Sequence, residues 1–462
     1  MTYIPHIESI AVKGSRTINI MRVIAKVTWG ASPLLLLMVH KELVRACLEW
    51  GAPLFFCASK TVLERLGRVQ YASIRVALGC MSSIPIPILL SEAGEVSLSL
   101  RRSHLANRYI LRNFCWNDNP LVGKLSLLAE SAKSKRFKVR EEGYGQIEAY
   151  NSMAEFASSL DAPQKPSYFY EEWEDLSAAI PVDLEPGFGF REPSFSQRLL
   201  DSFVGKRYAD VLRVFSDGSV NPGVGLAGCG FMVPESGLRF GVRLRDIASP
   251  ITSELYGIFY ALKYVMERER RDDIIFADSR SALTIIRDRL FNHAGHPLAR
   301  LIVDRMAAAA RSGVKVSLVW VPAHVGILGS ERADEVARSA SRLPLVVQRG
   351  IPMDDLHLVC QRDFRDWSLL CWPFEGTRDS RADYFLHANV KTPSPWFRDY
   401  WFPRRVINLI TMLRSAQICT GEHFARMGWR VPVGCECDAE VRSLAHLLHR
   451  CPRLAWGRVA FY

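Results

Sequence analysis

Residues 206–345 are predicted to form an α/β fold, and three observations support this prediction. Apolar runs of strand length alternate with longer stretches whose apolar residues recur at helical spacing. Turn-forming residues separate the runs, among them the Pro-Glu-Ser-Gly segment at 234–237. Acidic residues stand where a strand ends or a helix begins. The pattern predicts five strands with flanking helices.

Each predicted strand has the apolar, β-branched composition that favours a pleated sheet. The first ends in a turn at Asp217, so this side chain is expected at a strand terminus. The second and third form a hairpin around 234–237. The fourth runs directly into Asp278, and a loop after the fifth carries His324. The five segments are VLRVFSDGS, LAGCGFMV, LRFGVRLR, IIFADS and VKVSLVWVPAH.

Two predicted helices carry two further acids. Thr252 or Ser253 is the expected cap of the helix after the hairpin, which places Glu254 in its first turn. A final helix after the last strand carries Asp334. The apolar stripe of the helix after the hairpin is Leu255, Ile258, Phe259, Leu262 and Val265.

The four acids Asp217, Glu254, Asp278 and Asp334 are expected to converge on one site. A single carboxylate at a helix start usually caps the helix or interacts with its dipole. Carboxylates held together repel each other, and a pair of divalent cations is the usual reason to hold them there. Two such ions about 3.5–4 Å apart can clamp the attacking and leaving oxygens of a phosphodiester. The four acids therefore indicate a metal-dependent nuclease.

In their order and setting, these acids resemble those of the type I ribonuclease H family. The resemblance covers about 208–345 and implies that all four acids bind the metal ions. It also implies that His324, in WVPAHVGILGSERAD, is the mobile loop histidine that helps proton transfer or product release. Ser330 stands where the family usually has Asn, a residue that is not a metal ligand.

The resemblance to ribonuclease H implies a mixed five-stranded sheet and cleavage of the RNA strand of RNA–DNA hybrids. One Mg²⁺ would activate water and a second would stabilise the leaving 3′-oxygen, with Mn²⁺ as an alternative ion. The hybrid would be recognised through 2′-hydroxyls and duplex shape. Gly218 and Ser219, beside Asp217, and Ser279, beside Asp278, are the expected nucleic-acid contacts.

Residues 1–125 are predicted to be mainly helical from their apolar spacing. The segments TWGA, EWGAPLF, RVQYASIRVALG and SEAGEVSLSLRR resemble the thumb-like region that follows the polymerase palm in non-LTR retrotransposon reverse transcriptases. The catalytic aspartate pair of a polymerase is absent from this region, so no polymerase activity is predicted. Met353, Asp354 and Asp355 are interpreted as an ordinary surface loop.

A cluster of potential metal ligands lies near the C-terminal end. Cys435, Cys437, His446 and Cys451 resemble the Cys-Cys-His-Cys zinc knuckle that ends many retrotransposon polyproteins. Thiolate and imidazole ligands in a tetrahedral set suit Zn²⁺. A single residue separates the first two cysteines, where the family has two. His449 is an alternative ligand, and buried thiols on an ordinary helix are the alternative to a metal site.

The 462 residues carry a net charge of +11, from 59 Lys and Arg against 48 Asp and Glu. A basic balance suits a polyanionic partner through counterion release. The densest basic group either binds a duplex or forms a solvated helix face. An aromatic stretch either stacks on unpaired bases or packs into a helical core. The basic group is Lys133, Lys135, Arg136, Lys138 and Arg140, and the aromatic stretch contains Trp396, Phe397, Tyr400 and Trp401.

The 11 cysteines are scattered and odd in number, without the spacing of a disulfide framework. No charged leader with an apolar core opens the chain, and PLLLLMV is too short to span a bilayer. An intracellular protein without membrane association is expected, with nucleus, cytoplasm and oligomeric state all open. The predicted regions are 1–125 (thumb-like), 126–205 (linker), 206–345 (ribonuclease H-like), 346–414 (helical connector) and 415–462 (zinc-knuckle-like).

Three functional hypotheses follow. The favoured one is a non-LTR retrotransposon-derived ribonuclease H. A transposase or integrase shares the fold, but usually takes its last carboxylate from a Glu on a late helix, whereas here Glu254 comes second and Asp334 last. The third is a catalytically inactive nucleic-acid-binding relic. The complete set of acids argues against a relic, and the missing polymerase palm argues for one.

Overall fold

The computed structural model describes sixteen segments of the chain, and the chain divides into two compact units. The helical unit comprises 1–109, 128–150 and 361–462, and the sheet unit comprises 110–127 and 151–360. The described residues are 3–26, 30–114, 119–133, 145–157, 159–161, 180–184, 193–207, 211–221, 225–268, 272–289, 296–348, 350–374, 394–415, 417–418, 420–430 and 434–455.

The described residues form α-helices and one sheet, with short π-helical turns at His40–Arg45 and His446–Arg450 and 3₁₀ turns at Ala52–Cys57 and Pro452–Leu454. The helices are α1 (Ile4–Ile24), α2 (Pro33–Val39), α3 (Ala46–Glu49), α4 (Lys60–Leu78), α5 (Ile86–Ala93), α6 (Leu98–Phe114), α7 (Pro120–Lys133), α8 (Gly145–Ala157), α9 (Pro193–Arg207), α10 (Pro250–Met266), α11 (Arg280–Arg289), α12 (Pro297–Arg311), α13 (Leu328–Ala340), α14 (Met353–Phe374), α15 (Arg404–Arg414) and α16 (Gly421–Arg426). The strands are β1 (Val182–Asp183), β2 (Leu212–Asn221), β3 (Leu226–Val233), β4 (Leu238–Arg243), β5 (Asp272–Ala277) and β6 (Lys315–Trp320).

The helical unit has an apolar core with ion pairs set into it. Leu66, Ile74 and Leu78 of α4 are fully buried there. Glu95 is 2% exposed, and both of its carboxylate oxygens accept hydrogen bonds from Arg45 at 2.9 Å. Burial alone would raise the pKa of Glu95, but the hydrogen bond to His40 and the charge of Arg45 lower it to about 2. This buried carboxylate is therefore stabilised in its ionised form.

The aromatic stretch near α15 is divided between core and surface. Phe397 is fully buried, and the Trp396 indole N–H donates to Glu92 at 2.7 Å. Tyr400 and Trp401 are exposed. The basic group at 133–140 lies outside the described residues, apart from the backbone of its first member. None of the helices in the described part of the chain is both long enough and apolar enough to span a bilayer.

The sheet of the second unit is mixed, with strand order β1-β6-β5-β2-β3-β4. The pairs β1–β6, β6–β5 and β5–β2 are parallel, whereas β2–β3 and β3–β4 are antiparallel. Gly237 closes the β3–β4 hairpin with a φ of 68°, which confirms the predicted turn. The carboxyl ends of β5 and β6 therefore open at the same edge of the sheet.

Helices cover both faces of the sheet, since successive strand residues point to opposite sides. Val214 and Ile275 face the core shared with α10, α11 and α12. Their neighbours Phe215 and Phe276 face the opposite core, which contains residues of α9 and α13, and their rings stack at 4.9 Å. In the predicted stripe of α10, Leu255, Ile258, Leu262 and Val265 are fully buried.

Three details differ from the sequence prediction. The sheet has a sixth strand, β1, because Val182 and Asp183 pair with β6. Asp217 lies inside β2, since pairing with β3 continues to Asn221 although pairing with β5 stops at Ser216. Ser249 caps α10, and its hydroxyl accepts the backbone N–H of the residue at 252.

The interpretation of 353–355 as an ordinary surface loop was wrong. These residues open α14, and Asp354 is exposed whereas Asp355 is fully buried. The preceding chain also packs onto the sheet unit, through bridges from Val346 to Arg243 and from Ile351 to Leu160. The sheet unit thus continues beyond its last predicted helix.

Candidate active site

Asp217 lies on β2, just past the point where the parallel β5 stops pairing with this strand. Its side chain is 6% exposed, so it projects into the protein rather than into solvent. Because β3 still pairs with β2 at this position, the backbone of Asp217 is held on one side by the sheet. The sheet therefore fixes the backbone position of the first acid of the site.

Two glycines bring Asp217 close to Glu254. A Cβ built on Gly218 would overlap the backbone N of Glu254, and a Cβ built on Gly257 would lie 2.7 Å from the backbone O of Asp217. Side chains at these positions would push β2 and α10 apart. The strand and helix touch backbone to backbone because both residues lack a side chain. Glu254 is the fifth residue of α10, one residue deeper than a first-turn position.

Asp278 follows β5 directly, as the sequence predicts. Its backbone O accepts the Trp320 indole N–H at 3.0 Å and the Arg280 backbone N–H at 3.1 Å. These two bonds fix the chain between the end of β5 and the start of α11. The carboxylate is thus placed at the sheet edge by groups from two further elements.

The structure brings Asp217, Glu254 and Asp278 together, with one oxygen of each within 4.8 Å of the others. Burial, followed by the charges of Asp278 and Asp334, raises the pKa of Asp217 to about 8. Burial and the charge of Asp217 raise the pKa of Glu254 well above its usual range. Burial also raises the pKa of Asp278. Each carboxylate is therefore destabilised as an anion by its surroundings.

Asp334, on α13, stands at the margin of this group. It contributes to the raised pKa of Asp217 and pairs with Arg338 one turn along the helix. His324 is exposed on the loop after β6, with a φ of 55° that is uncommon for a residue other than glycine. A positive charge on His324 would oppose the rise that burial causes in the pKa of Asp278.

The carboxylate cluster fits a divalent cation. Oxygen ligands suit Mg²⁺, and Oε2 of Glu254 is buried without a hydrogen-bond partner in the described part of the chain. Among the described residues, no Lys or Arg forms an ion pair with Asp217, Glu254 or Asp278. A cation at this point would supply the positive charge that the described Lys and Arg residues do not.

The residues predicted to contact nucleic acid have local roles in the fold. Gly218 faces α10, so its lack of a side chain is needed for packing in any case. Ser219 pairs with Gly228 in the β2–β3 ladder. Ser279 accepts the backbone N–H of Ala282 at 3.3 Å, as a helix cap does. Their contacts with nucleic acid stay predictions.

The cysteines and histidine near the C-terminal end also come together, in the helical unit. The ligand atoms of Cys435, Cys437, His446 and Cys451 all lie within 4.8 Å of one another. Sγ of Cys435 is 3.8 Å from Sγ of Cys451, and Sγ of Cys437 is 3.2 Å from Nε2 of His446. The backbone N–H of Cys437 is the main reason that the pKa of Cys435 falls to about 7. The one-residue spacing therefore does not prevent the four groups from converging.

Two residues that shape the site were missed by the sequence prediction. Gly257 is an isolated glycine inside a helical pattern, a signal that usually marks close packing. Trp320 is the last residue of β6, and nothing in the sequence indicates that its indole N–H bonds to Asp278. The first was detectable from sequence in principle, whereas the second depends on pairing between β5 and β6.

The model of the RNase H family matches residues 209–342, which identifies this segment as an RNase H domain. The match includes both glycines and all four acids described above, but not Asp355. No curated protein matches the chain. An RNase H domain indicates a nuclease that binds nucleic acid in the form of RNA–DNA hybrids, and members of this family typically use Mg²⁺.

Proposed function

We propose that the protein is a metal-dependent endonuclease that hydrolyses the RNA strand of RNA–DNA hybrids. The observation that carries this proposal is the convergence of Asp217, which is buried, with Glu254 and Asp278 at a point where no Lys or Arg of the described residues pairs with them. Such an arrangement costs stability unless a cation binds. The RNase H match at 209–342 supports the choice of substrate.

The four acids are the proposed ligands. Asp217, Glu254 and Asp278 would hold Mg²⁺, or Mn²⁺ in its place, and Asp334 would complete the set from α13. A pair of bound ions would supply activation of the attacking water and stabilisation of the leaving 3′-oxygen. The protein's own contribution is to keep these carboxylates in place through the β2–α10 contact and the bonds to the Asp278 backbone.

His324 is the proposed proton carrier. It is exposed on the loop after β6, and its charge acts on Asp278. General acid–base groups contribute about 10²–10⁴-fold to rate. We expect His324→Ala to lower kcat while leaving the Mg²⁺ requirement unchanged, as measured by single-turnover cleavage at several Mg²⁺ concentrations.

Cleavage of a labelled RNA–DNA hybrid by the full chain with Mg²⁺ tests the function. RNA-strand cutting that is lost with chelator and with Asp278→Asn is the expected result. Asp288→Asn is the matched control, because Asp288 lies on the adjoining α11 with its side chain 60% exposed. A folded protein that binds the hybrid without cutting it would instead be a nucleic-acid-binding relic.

A Zn²⁺ site at Cys435, Cys437, His446 and Cys451 is a separate proposal. Its support is the approach of three sulfurs and one imidazole within 4.8 Å, a donor set that suits zinc. Co²⁺ titration should give the absorption bands of a tetrahedral thiolate site. We expect Cys437→Ser to remove these bands and His449→Ala to keep them. Loss with His449→Ala alone would assign the imidazole ligand to that residue.

The evolutionary origin of the protein, its division into regions and its location in the cell are also proposals. The segments in 1–125 and the Cys/His cluster support descent from a non-LTR retrotransposon polyprotein. The five-region division and an intracellular location belong to the same proposal. Expression of tagged full-length chain with fractionation of nucleus and cytoplasm would test the location.

A further inference from the structure

Asp355 is a buried acid that lies beyond the segment matched by the RNase H family. It is the third residue of α14 and is fully buried, whereas the match ends at 342. Burying a carboxylate is costly unless hydrogen bonds compensate for the loss of water. The partners of Asp355 therefore indicate why it is there.

One partner of Asp355 is Thr252, in the first turn of α10. The Thr252 hydroxyl, itself fully buried, donates to Oδ1 of Asp355 at 2.7 Å. A hydroxyl has one proton to give, so Thr252 must accept from its other neighbours. These are His296 at 2.9 Å and the hydroxyl of Ser249 at 3.0 Å. Thr252 thus joins side chains from three separate parts of the sheet unit.

The direction of the bond from His296 follows from its other nitrogen. Nδ1 of His296 accepts the backbone N–H of Leu298 at 3.3 Å, where His296 caps α12. The proton of the neutral imidazole is therefore on Nε2, which donates to Thr252. A chain of donors runs from His296 through Thr252 and ends on Asp355, the only group of the three that can terminate it as an anion.

Thr252, in the middle of this chain of hydrogen bonds, lies two residues before Glu254. Ser249 caps α10 and accepts the backbone N–H of Thr252 at 3.1 Å, so cap and network hold the same turn. On the far side of Glu254, Gly257 contacts the backbone of Asp217. Glu254 is thus fixed from both sides along the helix, although its own Oε2 has no partner among the described residues.

We propose that Asp355 is a positioning residue for Glu254, and that the chain after the RNase H match is part of the working site. Asp355 acts through Thr252 to set the start of α10, and therefore the place of the Glu254 carboxylate. The inference rests on the proposed nuclease function and adds a residue that the family match does not include. Burial raises the pKa of Asp355 to about 6, so the residue is mainly ionised at neutral pH.

The test is Mg²⁺ binding to the full chain, measured by calorimetry without nucleic acid. Asp355→Leu removes the acceptor but keeps the same branching at Cγ, whereas Asp355→Asn keeps an amide oxygen for Thr252. We expect Asp355→Leu to weaken Mg²⁺ binding by roughly 10–100-fold, as loss of groups that orient metal ligands does, and Asp355→Asn to stay within a few-fold of wild type. Asp354→Leu is the matched control, because that neighbour is exposed.

Cleavage assays add a readout that a purely structural role would not move. The Mg²⁺ concentration for half-maximal cleavage should rise for Asp355→Leu, while KM for the hybrid stays near wild type. Mg²⁺ binding by Asp355→Leu equal to that of wild type would overturn the inference. If Asp355→Leu does not fold, Thr252→Val against Thr252→Ser makes the same comparison, and equal Mg²⁺ binding by those two would also overturn it.

The proposed function fails in a different way. If the wild-type protein binds Mg²⁺ but does not cut the hybrid, the proposed function is overturned. The calorimetric comparison still tests the role of Asp355 in that case. A wild-type protein that binds no Mg²⁺ overturns both. Binding that is lost with Asp278→Asn but unchanged by Asp355→Leu overturns only the positioning role.

Discussion

The buried carboxylates of the two units have neighbours of opposite charge. In the helical unit, Glu95 faces Arg45, Lys41 and His40, and its pKa is lowered to about 2. In the sheet unit, Asp217 faces other acids, and its pKa is raised to about 8. Both carboxylates are almost fully buried, so burial alone does not separate them.

The two units differ in the source of the positive charge that compensates their buried carboxylates. In the helical unit the chain supplies it, and the buried ion pairs are complete without any ligand. In the sheet unit the described chain leaves the carboxylates uncompensated, which destabilises the fold unless a cation binds. A structural acid and a ligand-binding acid are thus distinguished by the sign of the pKa shift and its cause.

Asp217→Asn should give the largest effects, a loss of cleavage and a gain in stability. Hybrid cleavage should fall below detection because a proposed metal ligand is lost. Without divalent ions at pH 8, the sheet unit should become more stable by more than the roughly 1.4 kcal/mol that one pKa unit represents, since a neutral amide relieves the repulsion. Urea unfolding in chelator, followed by hydrogen exchange in the sheet unit, measures this. A less stable variant would contradict the comparison.

Glu95→Gln should have the opposite effect on stability. Removing one partner of a buried ion pair leaves the other charges uncompensated, and typically costs about 3 kcal/mol. The urea midpoint of the helical unit should fall accordingly, with the Mg²⁺ dependence of cleavage unchanged. A neutral result would mean that Arg45 and Lys41 reach solvent and need no partner.

The two units should respond to pH with opposite signs. The folded pKa of Glu95 lies below its ordinary value of 4.5, so its contribution to stability is present above that pH and lost as the pH falls toward 2. The folded pKa of Asp217 lies above its ordinary value of 3.8, so its contribution is present below that pH and lost as the pH rises through 8. Calorimetric melting across this range in chelator should show both trends, and Mg²⁺ should remove only the second.

The smallest effect is expected for an exposed pair in the helical unit. Glu8 pairs with Arg65, and their side chains are 47% and 50% exposed. Glu8→Gln should change the unfolding free energy by less than about 1 kcal/mol, because water already screens both charges. This variant is the control for Glu95→Gln. A loss equal to that of Glu95→Gln would show that burial is not what makes the ion pairs matter.

Local patterns in the sequence predicted much of the sheet unit. Apolar runs and turn residues were enough to predict five strands, and the place of Asp278 after β5 was confirmed. The two residues of β1 are too few to produce a periodic signal. The continuation of β2 beyond Asp217 depends on β3, a partner that a strand's own sequence does not reveal.

The acids of the candidate site were predicted from the sequence, but the residues that hold them in place were not. A shared order of acids was sufficient to expect that Asp217, Glu254 and Asp278 would converge. The burial of Asp355 depends on Thr252, which is 103 residues away in sequence, and no local pattern reports such a contact. The region boundaries, the nucleic-acid contacts and the roles of the site residues stay predictions.

The close approach of Gly218 to Glu254 and of Gly257 to Asp217 has a genetic consequence. Every single-nucleotide missense change in a glycine codon introduces a Cβ atom, so neither position has a neutral amino-acid change within one step. Either change would separate β2 from α10 and move Asp217 away from Glu254. In related sequences, loss of either glycine should therefore mark the loss of the proposed cleavage activity, even where all four acids remain.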